Sequence, residues 1–318
     1  MKILLSCVNS LVSLVGFDTD TRKTFWYAPG DRVRACGACY DGDALMLASD
    51  NFLTRIAPTG VTQQRLPGPY DNLVHSVHPL GSRIGIMDTG NSRLLLVGRN
   101  NDPVGVLDPL AGWDSRPADA LHINDFLPWG DGVLASCFNY QPYTHAKHNV
   151  DGWSTKGLGL ILSLERAGGT TLSRIVASGL NCPHSLVRHG DHVYCCSSSQ
   201  GDFYQFSPTP HGLLQETARW HVTDAHFLRG ALHDGTHWLL GGSSVRREAG
   251  ASPMSLYRFD QGSGEAECMK VAGAGEIYDI LPWDDEIMRP LAGLINSIPP
   301  ADWGDGNTYP EVVDLPAF

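Results

Sequence analysis

His122-Ile-Asn-Asp-Phe-Leu-Pro-Trp-Gly-Asp-Gly132 and Glu276-Ile-Tyr-Asp-Ile-Leu-Pro-Trp-Asp-Asp-Glu286 are two distant copies of one pattern in this sequence. Each copy alternates side-chain character and reaches a turn made of Gly and Asp, as the first strand of a β-hairpin does. Four other segments share this layout, and they begin at Arg34, His75, His184 and Arg229. The sequence therefore predicts six copies of one hairpin unit.

The turns of these units recur at intervals of roughly 40–60 residues, which is the length of a four-stranded sheet with its connections. They fall at Gly42, Gly81, Gly130, Gly190, Gly235 and Asp284. A third apolar run follows most of the hairpins, and a fourth strand fits before the next unit. Such repeats are typical of a β-propeller. We predict an all-β, six-bladed β-propeller forming a single domain over residues 1–318, with seven blades or a pair of β-sandwiches as alternatives.

The two ends of the chain are predicted to complete one blade. The hairpin from Glu276 lacks its third and fourth strands, and Leu11–Tyr27 supplies two strand-like runs with no hairpin before them. Joining them closes the last blade and removes a free sheet edge. Phe138–Gly157 is a long loop insertion that we interpret as a candidate lid. Residues 294–318 form a Pro-rich tail that we expect to pack on the propeller.

Composition limits the partners of this protein. Lys and Arg number 23 against 34 Asp and Glu, a formal net charge of −11, and no basic stripe is present. Nucleic acid is therefore excluded as a partner. No apolar run approaches the roughly 20 residues that a membrane span needs, so no membrane partner is expected. The spacing of the eight cysteines indicates reduced thiols and a cytoplasmic location. The sequence does not define an oligomeric state.

The first strand of each predicted blade should line a central channel, and side chains two residues apart share one face of a strand. Six residues before each turn stand Cys36, His75, Asn124, His184, Arg229 and Tyr278. Eight residues before it stand Arg34, Leu73, His122, Cys182, Phe227 and Glu276. The residue between the two rows is apolar in every blade. Polar groups gathered in this way need each other, water or a ligand as partners.

The chemistry of these rows predicts a small-molecule or metal site. His75, His122 and His184, with Glu276 as a further ligand, suit a divalent transition metal such as Zn²⁺, Fe²⁺, Mn²⁺ or Cu²⁺. The predicted catalytic residues are Glu276 as general base, Tyr278 as acid and Arg229 as the charge that stabilises an anion. The predicted substrate-binding residues are Arg34, Asn124 and Cys36. In addition, Asp125 and Asp279 occupy matched positions, and we expect them to bond backbone amides of neighbouring blades.

The whole chain resembles an uncharacterised bacterial β-propeller family. The resemblance rests on His122-Ile-Asn-Asp-Phe126, Asn181-Cys-Pro-His-Ser-Leu186, Phe227-Leu-Arg-Gly230 and Glu276-Ile-Tyr-Asp-Ile280. It implies the propeller fold over nearly the whole length and implies no reaction.

A shorter stretch, Leu121-His-Ile-Asn-Asp-Phe126 followed by Val133-Leu-Ala-Ser-Cys137, is similar to the inner-strand motif of arylsulfate sulfotransferases. The resemblance implies that His122 is a nucleophile and that His75, His184 and Arg229 stabilise charge. The family's arginine after this motif is absent, since Phe138 and Asn139 stand there, and the family is typically exported. Gluconolactonase and regucalcin-like propellers bind Ca²⁺ through Glu, Asn and Asp, whereas the matching faces here carry His, which favours a softer metal or none.

Together these observations predict an enzyme that acts on a small polar or anionic metabolite by metal-assisted hydrolase, lyase or isomerase chemistry. One alternative is a metal-free sulfuryl or group transferase that uses His122. The other is a non-catalytic binding or scaffold propeller.

Overall fold

The computed structural model describes residues 1–8, 12–29, 35–49, 52–66, 74–99, 102–113, 119–139, 157–224, 227–243, 253–274 and 276–292. Within these ranges the chain forms twenty-four strands and one α-helix, together with two short 3-10 turns. The strands make six four-stranded sheets, the arrangement of a six-bladed β-propeller, which confirms the predicted fold class.

The strands are numbered along the chain, and each sheet is one blade. Blade six contains β1 (Lys2–Val8), β2 (Val12–Asp18) and β3 (Lys23–Pro29) together with β24 (Glu276–Pro282). Blade one contains β4 (Gly37–Asp41), β5 (Ala44–Ser49), β6 (Phe52–Ala57) and β7 (Gly60–Arg65). Blade two contains β8 (Val74–Leu80), β9 (Arg83–Asp88), β10 (Arg93–Gly98) and β11 (Pro103–Leu107).

The remaining sheets follow in sequence order. Blade three contains β12 (Ile123–Trp129), β13 (Gly132–Cys137), β14 (Gly159–Ala167) and β15 (Thr170–Leu180). Blade four contains β16 (Pro183–His189), β17 (His192–Ser197), β18 (Asp202–Pro208) and β19 (Leu214–His221). Blade five contains β20 (Phe227–His233), β21 (Trp238–Ser243), β22 (Pro253–Phe259) and β23 (Ala266–Ala274).

Contacts between residues divide the chain into two compact units. The first unit consists of residues 1–47, 53–63 and 225–318 and holds blades five and six with most of blade one. The second consists of residues 48–52 and 64–224 and holds blades two, three and four. In the second unit β12 packs against β8 and β16, and in the first unit β24 packs against β20 and β4. Within each unit, therefore, the first strands of successive blades lie next to one another.

Blade six joins the two ends of the chain, as predicted, but its make-up corrects the prediction in one respect. The N-terminal region supplies three strands rather than two, because β1 pairs with both β2 and β24. The predicted second strand of the last hairpin is instead a helix, α1 (Asp285–Ala292). The Asp284 carboxylate accepts hydrogen bonds from the N–H groups of Glu286 and Ile287 at 2.9 and 3.0 Å, which starts the helix.

The core lies between successive sheets. Between blades two and three it is built around Leu94, Ile123 and Phe126, all fully buried. Between blades five and six it contains Leu5 and Ile277. Burying one such side chain stabilises the fold by about 1.5–3 kcal/mol. The apolar residue between the two polar rows of the sequence pattern belongs to this core, which explains why it is apolar in every blade.

Two matched aspartates connect neighbouring blades within each unit. Asp125 Oδ2 accepts a hydrogen bond from the backbone N–H of Leu186 at 2.7 Å. Asp279 Oδ2 accepts one from the N–H of Ala38 at 2.8 Å. Both acceptors lie on the first strand of a blade, and both donors lie on the first strand of the next blade. These bonds confirm the prediction that the two aspartates bond backbone amides between blades.

Candidate functional site

The predicted site residues fall into two groups, one in each unit. In blades two to four, His75, Asn124 and His184 lie near the starts of β8, β12 and β16, and His122 directly precedes β12; all four are buried. In blades five, six and one stand Arg229, Glu276, Tyr278 and the half-buried Cys36. Arg34, most of the predicted lid and the C-terminal tail lie outside the described residues.

His75 is linked to His122 through Asn124. The Asn124 side-chain amide nitrogen donates a hydrogen bond of 3.0 Å to the backbone carbonyl of His122. The amide oxygen therefore faces His75 Nδ1 at 2.8 Å, and because this oxygen only accepts, Nδ1 of His75 must carry the proton. The two imidazole rings also meet edge to face, with centroids 5.4 Å apart.

His122 forms a buried pair with Asp119. His122 Nδ1 lies 2.8 Å from Asp119 Oδ2, and the two side chains are 3% and 2% exposed. The carboxylate oxygen accepts, so the proton is on Nδ1 and Nε2 is the basic nitrogen of the ring. Asp119 is itself fixed, because its N–H donates to the carbonyl of Gly90 at 2.7 Å. The sequence pattern missed Asp119, although an acidic residue three positions before His122 was visible.

His184 has the same tautomer as the other two histidines. Its Nδ1 lies 2.9 Å from the carbonyl oxygen of Cys182 and 2.7 Å from Oγ of Ser198. A carbonyl oxygen only accepts, so Nδ1 carries the proton. All three imidazoles are therefore held by acceptors at Nδ1. Nε2 of His122 and Nε2 of His184 are buried and make no hydrogen bond with the described residues.

The backbone turns in the same unusual way before two of these strands. His122 and Cys182 both stand eight residues before their turn glycines, and both have left-handed φ angles of 46° and 48°. Residues other than glycine rarely adopt this conformation, and it tends to occur at functional sites where the surroundings hold it in place. Asp119, the hydrogen-bond partner of His122, also has a left-handed φ angle, of 56°.

Phe138 separates His122 from His184. Its ring centroid lies 4.4 Å from that of His122 and 4.9 Å from that of His184, and the side chain is buried. The N–H of Phe138 bonds the His122 carbonyl at 3.3 Å, which continues the pairing beyond β13. In the sequence, Phe138 marked only the start of the predicted lid and the place of a missing arginine, so its contact with the two histidines was not predicted. Its neighbour in sequence, Asn139, is also buried.

The histidine cluster, as far as the structure describes it, does not form a recognisable metal-ligand group. Among the residues that the structure describes, no group of three or more His, Cys, Asp or Glu side chains is placed to hold a metal ion. The ring of Phe138 contacts two of the proposed ligands, His122 and His184. The divalent metal on His75, His122 and His184 therefore stays a prediction.

The second group is a buried ion pair between aromatic rings. Arg229 Nη1 contacts a carboxylate oxygen of Glu276, and both side chains are nearly inaccessible. Cζ of Arg229 lies 4.7 Å from the ring centroids of both Phe227 and Tyr278, a distance suited to cation–π contact. Nε of Arg229 is buried and has no hydrogen-bond partner among the described residues. Glu276 is thus engaged by Arg229, and it would be available as a base or ligand only after that contact opens.

Comparison with known proteins supports the β-propeller fold but no particular activity. No family model matches the sequence, and no curated protein sequence is significantly similar to it. Similar solved structures include a protein of unknown function from Bacteroides caccae, 11% identical with a TM-score of 0.60, covering 88% of this chain and 97% of that one. A chain of the nidogen/laminin complex is 12% identical with a TM-score of 0.59, at 88% and 97% coverage.

A putative 6-phosphogluconolactonase from Bacteroides fragilis is also similar, at 12% identity and a TM-score of 0.50, covering 89% of this chain and 98% of that one. Identities this low establish a shared fold but no shared chemistry. The resemblance to arylsulfate sulfotransferases stays a prediction. No helix within the described ranges is both long and apolar enough to cross a membrane.

Proposed function

We propose that this protein is an enzyme whose reactive base is Nε2 of His122, acting on a small polar or anionic molecule. The observation that carries the proposal is the buried 2.8 Å hydrogen bond between His122 Nδ1 and Asp119 Oδ2. A carboxylate at Nδ1 fixes the tautomer in which Nε2 has a lone pair. It also stabilises the imidazolium that forms when Nε2 takes a proton.

This pair supports reactions that begin with the removal of a proton. Hydrolysis takes the proton from water, whereas elimination and isomerisation take it from a carbon acid. In each case Nε2 of His122 receives the proton and the electron pair stays on the attacking oxygen or on the carbon. His184, with Nδ1 engaged, offers its buried Nε2 as an acceptor for a hydroxyl or amide group of a substrate.

The test is a substrate screen with matched variants. Lactones, esters and hydroxy acids are offered to the wild type and to His122→Gln, Asp119→Asn and His192→Gln. His192 is the control, because its Nδ1 bonds Ser207 Oγ at 3.0 Å in an ordinary hairpin. We expect His122→Gln to lower kcat/KM by about 10²-fold or more, and the control to leave it unchanged. An activity that survives His122→Gln would contradict the proposal.

A divalent transition metal is the second candidate, and one observation favours it. Histidines that bind metals usually donate Nδ1–H to a carboxylate, carbonyl or similar acceptor, as these three histidines do. Calorimetric titration of the wild type with Zn²⁺ measures this directly. Stoichiometric binding that disappears in both His75→Gln and His122→Gln would support it, and no binding by the wild type would contradict it.

Group transfer through His122 uses the same nitrogen as a nucleophile. Nε2 would form a bond to the sulfur of an aryl sulfate while the bond from sulfur to the phenol oxygen breaks and the phenolate leaves. Incubation with an aryl sulfate followed by mass spectrometry distinguishes this route from proton transfer. A sulfuryl group found on the peptide that contains His122 supports transfer, and an unmodified peptide after turnover supports the base.

A further inference from the structure

A cavity lies between blades two and three, away from the histidines. It has a volume of about 310 Å³ and is bordered by the turn that joins β8 to β9 and the turn that joins β12 to β13. His75 and Asn124 stand near the starts of β8 and β12, whereas this cavity is lined by Pro79 and Pro128 near their ends. At about 3.3 Å per residue, the four residues that separate the two places span roughly 13 Å along each strand.

The cavity is positively charged although the protein is acidic. Arg83 and Arg166 line it together with one carboxylate, Asp131. Neither guanidinium makes an ion pair or a hydrogen bond with any residue that the structure describes. Two cations and one anion leave a net positive charge in a chain whose formal net charge is −11. Guanidinium groups without a protein partner at a cavity suit a carboxylate or phosphate, which they bind with paired hydrogen bonds.

Gly105 leaves room for Arg166 at this cavity. A Cβ atom built on Gly105 would lie 2.6 Å from Nη1 of Arg166, so the guanidinium rests against bare backbone of β11. Any larger residue at position 105 would push this guanidinium away from its place. Arg166 is therefore positioned by the absence of a side chain and not by a protein anion, which leaves its hydrogen-bond donors for a ligand.

The opposite side of the cavity is apolar. Leu96, Leu107 and Val133 line it and are almost fully buried, and Leu80 is packed against the same core. A volume of this size lies at the lower end of the range for small-molecule sites. The lining therefore combines two cationic groups with an apolar surface.

We infer that this cavity binds a small amphipathic anion. Its carboxylate or phosphate contacts Arg83 and Arg166, and its hydrocarbon part packs against Leu96, Leu107 and Val133. The inference is independent of the chemistry proposed at His122, because it uses no residue of that cluster.

Isothermal titration with octanoate and with octyl phosphate tests the inference, and neutral 1-octanol serves as the uncharged comparison. We expect at least one of the two anions to bind the wild type with a dissociation constant in the millimolar range or lower. The anion with the higher affinity identifies the preferred head group. 1-Octanol should bind at least tenfold more weakly. The double variant Arg83→Gln/Arg166→Gln should lose about tenfold or more in affinity. Arg55→Gln is the control, since Arg55 is an exposed arginine paired with Asp43.

Gly105→Ala provides a second variant that keeps both charges. Its new methyl group displaces the end of the flexible Arg166 side chain, so the fold should persist while affinity falls several-fold. Thermal melting of all variants checks that they remain folded. Failure of the wild type to bind either anion at millimolar concentration would overturn the inference. Equal binding by the double variant, or equal binding of 1-octanol, would overturn it as well.

Discussion

The carboxylate of Asp125 holds the backbone N–H of Leu186 at 2.7 Å, and thereby ties the first strand of blade three to the first strand of blade four. The other oxygen accepts from the N–H of Phe126 at 2.8 Å and lies 3.3 Å from Nε2 of His78. Asp279 makes the equivalent connection from blade six to Ala38 in blade one. One acidic position of the repeat therefore has a structural role in joining blades.

Removing the Asp125 carboxylate should destabilise the protein. Asp125→Ala leaves the N–H groups of Leu186 and Phe126 without their acceptor in a buried place, and we expect a loss of about 2–4 kcal/mol in the free energy of unfolding. Urea denaturation measures it. Asp191→Ala, at an exposed turn, is the control and should change stability by less than about 0.5 kcal/mol. Equal stability of the two variants would contradict the structural role.

The tautomer of His122 should depend on Asp119. In the wild type, nitrogen-15 NMR is expected to show His122 protonated at Nδ1 and not at Nε2, because Asp119 Oδ2 accepts from Nδ1. In Asp119→Asn the new amide can donate to Nδ1, which favours the proton on Nε2 instead. The spectrum of His184, whose Nδ1 bonds Cys182 and Ser198, serves as the internal control and should not change. A wild-type spectrum with the proton on Nε2 would rule out the proposed base.

The exposed thiol of Cys268 should react much faster than the fully buried thiols. Burial raises the pKa of the Cys7, Cys137 and Cys196 thiols well above the ordinary value, which suppresses the reactive thiolate. Cys268 is exposed on β23. We expect iodoacetamide to label Cys268 in the native protein at least ten times faster than these three, and the difference should vanish in denaturant. Peptide mass spectrometry measures it, with Cys268→Ser as the control for peptide assignment.

Stability should include a contribution from His221 that depends on pH. The hydrogen bond between His221 Nδ1 and Asp202 raises the pKa of His221, and Asp224 adds to the effect. The folded-state pKa is thus above the unfolded value of about 6.5. Its contribution is full below that unfolded value and is lost as the pH rises through the raised folded pKa.

The variant His221→Gln should therefore differ from the wild type more at about pH 6 than at about pH 9. Urea denaturation at both pH values measures the difference, and the exposed His211→Gln is the control. A difference that grows toward high pH would have the wrong sign and would contradict the assignment.

The sequence was sufficient for the blade count because turn glycines and alternating strands are local signals. Gly42, Gly81, Gly130 and Gly190 all have left-handed φ angles near 60° at the predicted turns. The pattern was misleading after Asp284. This residue occupies the turn position of the repeat but caps a helix, and a short apolar run does not distinguish a strand from a helical turn.

The site was harder to predict because two of the partners of its histidines, Asp119 and Ser198, are not on the repeating rows. The rows identified His75, Asn124, His122 and His184, which are brought together by adjacent first strands. Asp119 and Ser198 lie in connecting segments, whose path depends on left-handed backbone that the spacing does not reveal. Whether Arg34 binds a substrate stays a prediction.

The pairing of β1 with β24 also constrains how the protein is made. A ribosome releases β1 first and β24 only after some 270 further residues, the separation of the Ser6 and Asp279 partners being 273. Throughout most of translation, one edge of β1 has no neighbour, and Ile3 and Leu5 lack the core that blade five supplies. We therefore expect the nascent chain to need a chaperone at its N-terminal end, and mutations in β1 to impair yield in cells more than they impair the finished protein.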